Sequence, residues 1–210
     1  MKLAKESAPF LFGLLALALG GAFIHWGWAL VPLAGAMFVT FFFRDPLRTP
    51  PLSEENFLSP ADGEIKEIKL EHEEPGFKNK FTRISIFLSV MDVHVNRSPV
   101  SGEVISTKHS PGKFYMAFEK KAFEENENNL IVLRHKNTDI LLRQVAGKIA
   151  RRIVCYLKPG QIVQQGEKIG IIQFGSGAQL YMPAGVDVKV AVGQKVVGGE
   201  TVLASIQKNP

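Results

Sequence analysis

From Ala8 to Phe43 the chain runs through 36 residues without Asp, Glu, Lys or Arg, and His25 is the one ionisable side chain among them. A single helix crosses a bilayer with about 20 apolar residues, so the stretch is too long for one span and a little short for two full ones. Its middle, Gly20-Gly21-Ala22-Phe23-Ile24-His25-Trp26-Gly27-Trp28, joins helix-weakening glycines to two tryptophans of the kind that settle at a membrane interface. These features predict a membrane-attached helical hairpin over residues 1–44, with His25 at its tip. Lys2 and Lys5 precede the stretch and Arg44 and Arg48 follow it. A hairpin puts both basic pairs on one side, as the positive-inside tendency asks of a domain held at the cytoplasmic face of the cell membrane. A cleaved secretory signal fits poorly, because its apolar region spans only about 7–15 residues and ends in a small-residue cleavage site, missing here before Arg44. An amphipathic surface helix would need a charged face.

The remainder is polar enough to fold in water. Over all 210 residues, 46% are hydrophobic and 21% charged, which excludes a disordered chain. The net charge of +5 would suit nucleic acid or an anionic membrane, but basic and acidic residues are interleaved and no nucleic-acid motif is present. The membrane is therefore the expected partner. Cys155, the single cysteine, sits in Arg152-Ile-Val-Cys-Tyr-Leu, which reads as a strand with a small core residue.

Pro46, Pro50 and Pro51 mark residues 45–56 as an extended linker, and a domain over 57–210 follows. Short apolar alternations predict strands at Glu64–Leu70, Arg83–Val90, Gly102–Thr107, Leu130–Arg134, Ile140–Ala146, Arg152–Leu157 and Lys168–Phe174. Only Met116–Glu127 invites a helix or loop. Two internal echoes point to duplicated β-hairpins. Ser59-Pro60-Ala61-Asp62-Gly63-Glu64-Ile65 matches Ser98-Pro99-Val100-Ser101-Gly102-Glu103-Val104, and Pro159-Gly160-Gln161 through Ile169 matches Val192-Gly193-Gln194 through Val202. The second pattern resembles the barrel-sandwich hybrid of lipoyl and biotinyl carriers. The expected fold class is thus mainly β, a duplicated-hairpin, barrel-sandwich-hybrid-like domain behind a hydrophobic helical hairpin.

Three segments carry chemistry: Ser59-Pro60-Ala61-Asp62-Gly63, then Met91-Asp92-Val93-His94-Val95-Asn96-Arg97-Ser98-Pro99, then Phe174-Gly175-Ser176-Gly177. Each alone is a weak signal, but the three in this order resemble the short bacterial and archaeal type of phosphatidylserine decarboxylase. The resemblance covers nearly the whole chain. It implies that the serine after glycine attacks the preceding carbonyl, that the amide becomes an ester, and that elimination with hydrolysis leaves a pyruvoyl cap. Mapped here, the chain would cut itself between Gly175 and Ser176 into 1–175 and 176–210, which stay associated. Ser176 would become the pyruvoyl cofactor, whose carbonyl forms a Schiff base with the amine of phosphatidylserine and takes up the electrons released with carbon dioxide. The product would be phosphatidylethanolamine.

The chemistry suits the residue types. A β-hydroxyl serves first as nucleophile and then as leaving ester, and glycine before it tolerates strained backbone. Serine needs a base, conventionally a histidine oriented by a carboxylate. His94 and Asp62 match the family's positions for these roles, and His94 is also the candidate acid that protonates the α-carbon. Three departures stand out: Gly177 and Asn128 where many relatives carry arginine, and Arg97 where long members carry a second histidine.

Taken singly, Asp-Gly is a common turn, Gly-Ser-Gly a common loop and a histidine in an apolar alternation a packed strand residue. His72, His109 and His135 lie in polar stretches that predict solvent exposure. No His-x-His or cysteine pair occurs, so no metal is expected, which also counts against a membrane zinc peptidase. A non-catalytic, membrane-anchored hybrid-barrel carrier or adaptor would display a lysine at a tight turn. Lys189 is the one lysine between Gly170 and Gly193, and Val188-Lys189-Val190 reads as a strand. A decarboxylase for archaetidylserine is an alternative within the favoured class. The sequence leaves oligomeric state open, a homo-oligomer included.

Overall fold

The computed structural model describes residues 2–115, 120–148, 152–173 and 176–206. The chain divides into two compact units, Met1–Leu47 and Arg48–Pro210. In the first unit, β1 (Lys2–Leu3) pairs antiparallel with β2 (Arg44–Asp45), and the Ala4 N–H donates to the Phe43 carbonyl at 2.9 Å. Between them run α1 (Ala8–Ile24) and α2 (Leu30–Phe42). Pro9 sits in the first turn of α1, where a missing N–H costs nothing. His25 stops that helix by turning extended, and its Nδ1 accepts the Gly27 N–H at 3.1 Å, opening a 3₁₀ turn over Trp26–Ala29. The unit is thus a helical hairpin with His25 and both tryptophans at its tip and Lys2, Lys5 and Arg44 at its open end. With its leading 3₁₀ turn, Lys5–Ile24 makes 20 residues, long and apolar enough to cross a membrane; Trp26–Phe42 is shorter.

The second unit is built from β3 (Asn56–Leu58), β4 (Gly63–Glu73), β5 (Lys80–Leu88), β6 (Val95–Arg97), β7 (Gly102–Ser110), α3 (Lys120–Glu125), β8 (Asn128–His135) and β9 (Thr138–Ala146). It continues with β10 (Ile153–Cys155), β11 (Ile162–Val163), β12 (Lys168–Ile172), β13 (Ser176–Pro183), β14 (Asp187–Val188), β15 (Lys195–Val196) and β16 (Val202–Ser205). Eight strands form one curled sheet in the order β11-β7-β8-β9-β13-β5-β4-β15, flanked by two three-stranded sheets, β10-β12-β6 and β14-β16-β3. All seven expected strands are present, within a few residues at each end. Alternation puts Ile84, Ile86 and Leu88 of β5 and Ala178, Leu180 and Met182 of β13 on the core face. The opposite face is covered as well: Phe81, Val132, Leu141 and Tyr181 pack there, and Arg143 bonds Tyr181 (2.8 Å) and Glu74.

The echoes are a structural two-fold. Ile65 exchanges backbone bonds with Gly193 and Gln194 (2.8 and 2.9 Å), just as Val104 does with Gly160 and Gln161 (both 2.8 Å). Ser59 Oγ donates to the Ala61 carbonyl at 2.7 Å, and Ser98 Oγ to the Val100 carbonyl at 2.6 Å. Two small sheets repeat the relation, with β3-β16-β14 the counterpart of β6-β12-β10.

Several expectations change in detail. The proline segment is extended, and from Arg48 on it is laid along the domain: the Thr49 N–H donates to Glu200 (2.9 Å) and the Ser53 N–H to Gln165 (2.9 Å). His135 is buried, not solvated, with its two ring nitrogens 2.7 and 2.9 Å from the Ser101 and Glu54 carbonyls. His72 is half-buried and pairs with Glu74 at 3.2 Å. Polar neighbours in sequence say nothing about the elements that later pack over a side chain.

Gly63 has φ +153°, and a Cβ there would come far closer to the Phe87 carbonyl oxygen than van der Waals contact. Gly63→Ala should therefore cost about 2–4 kcal/mol. Gly76→Ala has the same positive-φ penalty but open space around it, and should cost about 1–2 kcal/mol. Thermal melting of both in detergent checks the ordering; equal shifts would refute the close approach at Gly63.

Candidate active site

Ser176 is the first residue of β13, with Leu88 of β5 and Ala146 of β9 on either side. Alternation turns its side chain to the core face with Ala178 and Leu180. It is fully buried, and its hydroxyl has no hydrogen-bond partner among the described residues. A buried hydroxyl left unpaired is rare in a settled core and calls for an explanation. Gly175, the expected other side of the scissile bond, lies outside the described residues, as do Phe174 and residues 116–119.

Asp62 precedes β4, whose Glu64 is paired with Phe87, itself paired with Gly177. One step further along the same row stand Gly63, Leu88 and Ser176, so Asp62 and Ser176 lie at one end of the sheet, about two strand spacings (roughly 10 Å) apart at the backbone. Oδ1 of Asp62 accepts the Gly198 N–H at 2.7 Å, and Nη2 of Arg48 reaches Oδ1 and Oδ2 at 3.0 and 2.8 Å. Nη1 of Arg48 is 3.5 Å from Glu200. Burial pushes the Asp62 carboxyl above the usual carboxylate range, opposed by the Gly198 N–H and by Arg48; the negative charge of Asp92 adds to the rise.

His94 arrives from the turn that leaves β5 just past Leu88. Asp92 closes that turn, its carboxylate accepting the Ser89 N–H at 2.8 Å. The His94 carbonyl accepts the Ile172 N–H at 3.2 Å, continuing the β6–β12 register toward the connection that ends at Ser176. At the other end of β6, the Arg97 N–H donates to the Pro60 carbonyl at 2.9 Å, tying the histidine's strand to the Asp62 turn. His94 is fully buried, with Nδ1 2.9 Å from the Asp92 carbonyl. A carbonyl only accepts, so Nδ1 carries the proton, and in the neutral ring Nε2 is left with a lone pair, the form a general base requires. The group orienting the imidazole through Nδ1 is thus a backbone carbonyl. The carboxylate anticipated for that duty, Asp62, is engaged with Arg48 and Gly198.

Sequence reasoning missed a row of buried amides on the same side. Asn96, two residues on from His94, accepts from Gln144 at 2.8 Å, and Gln144 accepts from Asn129 at 3.0 Å. Gln144 stands two residues before Ala146, the neighbour of Ser176. Asn126 also escaped, though it clamps the Tyr115 backbone (2.7 and 2.9 Å) to the Ala146 carbonyl (2.7 Å) at the head of the serine's row. Arg48, in sequence one of the basic residues that flank the apolar stretch, is in the structure the partner of Asp62. Neutral amides and single basic residues leave no pattern in sequence.

The three departures have structural settings. Gly177 lies under Phe123, where a Cβ would come 2.5 Å from the ring, so this chain fills with an aromatic the space a side chain would need. Asn128 donates to the Asn126 carbonyl at 2.9 Å, and Arg97 to the Gly166 carbonyl at 3.1 Å. Lys189, the residue a carrier would display, is ion-paired with Asp187 and bonded through its backbone to Leu203.

Residues 36–204 match the family model described as phosphatidylserine decarboxylase. A phosphatidylserine decarboxylase proenzyme of Wolbachia pipientis is 45% identical over 190 residues, covering 88% of this chain and 83% of the relative. Proenzymes of the same name from Carboxydothermus hydrogenoformans (42% over 204 residues, 97% of this chain and 96% of the relative) and Syntrophus aciditrophicus (40% over 207 residues, 97% of each) match over nearly their whole length. Fold, motif order and similarity agree, and the chain belongs to the phosphatidylserine decarboxylase family.

Proposed function

We propose that this chain is the self-maturing precursor of a carboxy-lyase that converts phosphatidylserine to phosphatidylethanolamine at a membrane. The observation that supports it most is Ser176, a buried hydroxyl with no partner among the described residues, at the head of a central strand. In maturation the Ser176 Oγ–H bond breaks as its proton passes to His94, and Oγ bonds to the Gly175 carbonyl carbon. The C–N bond then breaks, its nitrogen takes a proton, and an ester remains. Loss of the Ser176 α-proton and of the Gly175 carboxylate leaves an enamine, and its imine tautomer takes up water and releases ammonia. The ionised Asp62 carboxylate, held in the same corner, favours the imidazolium form of His94 during these transfers.

The site fits the pyruvoyl group that would result. Because the serine hydroxyl has no partner among the described residues, its replacement by a ketone orphans no donor or acceptor of theirs. That group supplies an electron sink for the carboxylate's departing pair. Leu88 and Ala146 wall the position with apolar side chains and keep water from it. His94 is the residue at hand to return a proton to the substrate's α-carbon. The 176–210 fragment contributes β13 to β16 and stays bound by the ladders of β13 with β5 and β9.

Denaturing mass spectrometry of purified protein should give fragments 1–175 and 176–210, the second with a blocked amino end. Ser176→Ala should remain one uncut, inactive chain with little loss of stability, and His94→Ala or Asp62→Ala should slow cutting by orders of magnitude. A full-length species in active preparations would sink the scheme.

The hairpin of residues 1–44 would hold the domain against the cytoplasmic leaflet, whose anionic surface attracts the basic residues at its open end. Cysteines introduced at Lys2 and at Pro51, in a Cys155→Ser background, should both be shielded from an impermeant reagent in intact cells. Labelling of one alone would mean a single span.

A further inference from the structure

The pseudo-two-fold supplies an internal control for the Asp62 corner. Its counterpart is Ser101, whose hydroxyl accepts the Gln165 N–H at 2.9 Å just as Asp62 accepts the Gly198 N–H at 2.7 Å. Closing this corner of the fold therefore takes an oxygen acceptor and no charge. In one corner alone a carboxylate stands in that place, with the Arg48 guanidinium bonded to both its oxygens. The side chains are only 11% and 16% exposed, and Arg48 Nε is buried without a partner among the described residues. Two charges and an orphaned donor are poor value as architecture, since a buried ion pair gains little over neutral packing. Nor does the segment depend on Arg48 for its course, because Thr49 and Ser53 tie it to Glu200 and Gln165 through their backbone N–H groups.

We infer that Arg48 is a positioning residue of the maturation site, holding the Asp62 carboxylate ionised and fixed in its corner. The inference rests on the reading of Asp62 as a participant in self-cleavage. Among the described residues, the groups that act on Asp62 are Arg48, the Gly198 N–H and the charge of Asp92, with Glu200 behind Arg48, and the proposed scheme adds the His94 imidazolium formed during the transfer. Burial favours the protonated carboxyl; Arg48 and the Gly198 N–H oppose it. Without Arg48, burial and Asp92 act against the Gly198 N–H alone, so Asp62 stays protonated to higher pH. A reaction that needs the carboxylate then loses rate on its acid side and regains it as pH rises.

The test follows cutting of the full chain, made by cell-free translation into detergent micelles, on denaturing gels from pH 5 to pH 9. Arg48→Met should move the acid limb of the rate upward by about one to two pH units, making it roughly tenfold or more slower at the pH where wild type is half-maximal. At high pH the variant should return to within about threefold of wild type. Arg48→Lys, which keeps the charge but not the fork, should show a smaller displacement in the same direction. Added guanidinium ion should restore part of the loss in Arg48→Ala. An acid limb unmoved in all three variants, or a rate lowered equally at every pH, overturns the inference. Should Arg48→Met fail to fold by melting, Arg48→Lys and the guanidinium rescue decide. Asp62→Asn separates the two readings: wild-type cutting by that variant overturns the role of Asp62 itself, whereas slow cutting with an unmoved Arg48 profile overturns only the role of Arg48.

Discussion

Strand β13 is hydrogen-bonded along both edges, to β5 over Ser176–Pro183 and to β9 over Ser176–Tyr181, and this double pairing fixes what surrounds it. A strand enclosed on both edges admits no slip, because a shift of one residue would turn Ala178, Leu180 and Met182 away from the core. The position of Ser176 is thus set by seven residues that follow it and by two neighbouring strands. The turn after β5 and the residue before β4 begin at the same row, which is why His94 and Asp62 arrive at the serine's end of the sheet.

The scaffold repeats but the chemistry does not. Both halves close the same corner with the same backbone bonds, and both use a serine two residues before a bonded carbonyl to shape the turn. On one side the corner is neutral and backed by His135; on the other it holds a carboxylate whose charge is unfavourable where it lies. Departures from a symmetric frame separate what the fold needs from what the reaction needs. On the proposed scheme Asp62 and Arg48 would serve the reaction, and the Gly198 and Gln165 backbone bonds the fold.

Polar and apolar residues alternate visibly in the sequence of β4, β5, β7, β8, β9, β10 and β12, which could be read directly even though β5 and β9 are buried along most of their length. Strand β13 could not, because Ser176-Gly177-Ala178-Gln179-Leu180-Tyr181 is buried on both faces and follows no polar alternation. Strand β6 spans only Val95–Arg97, too short for a period to emerge. The hairpin was legible because 36 residues without Asp, Glu, Lys or Arg, broken midway by glycines and tryptophans, leave a long, clear record. In the candidate site, Ser176, His94 and Asp62 are singled out by motif order. Their partners are not: Asp62 meets Arg48 across 14 residues and Gly198 across 136, and Gln144 meets Asn96 across 48. Such separations are set by topology, and one sequence carries no mark of them.

The bond before Ser176 lies where the chain passes from the small β10-β12-β6 sheet into the eight-stranded one. On the proposed scheme, cutting it would remove no rung from the β13 ladders, so precursor and product would share one architecture. Their denatured states would differ entirely. The precursor would unfold to a single chain that recovers by a first-order search. The cut protein would unfold to two molecules, one lacking a central strand and the other too small to fold alone, and its recovery would depend on their meeting. Maturation would thus turn a reversible folder into an object whose lifetime is governed by how slowly it opens.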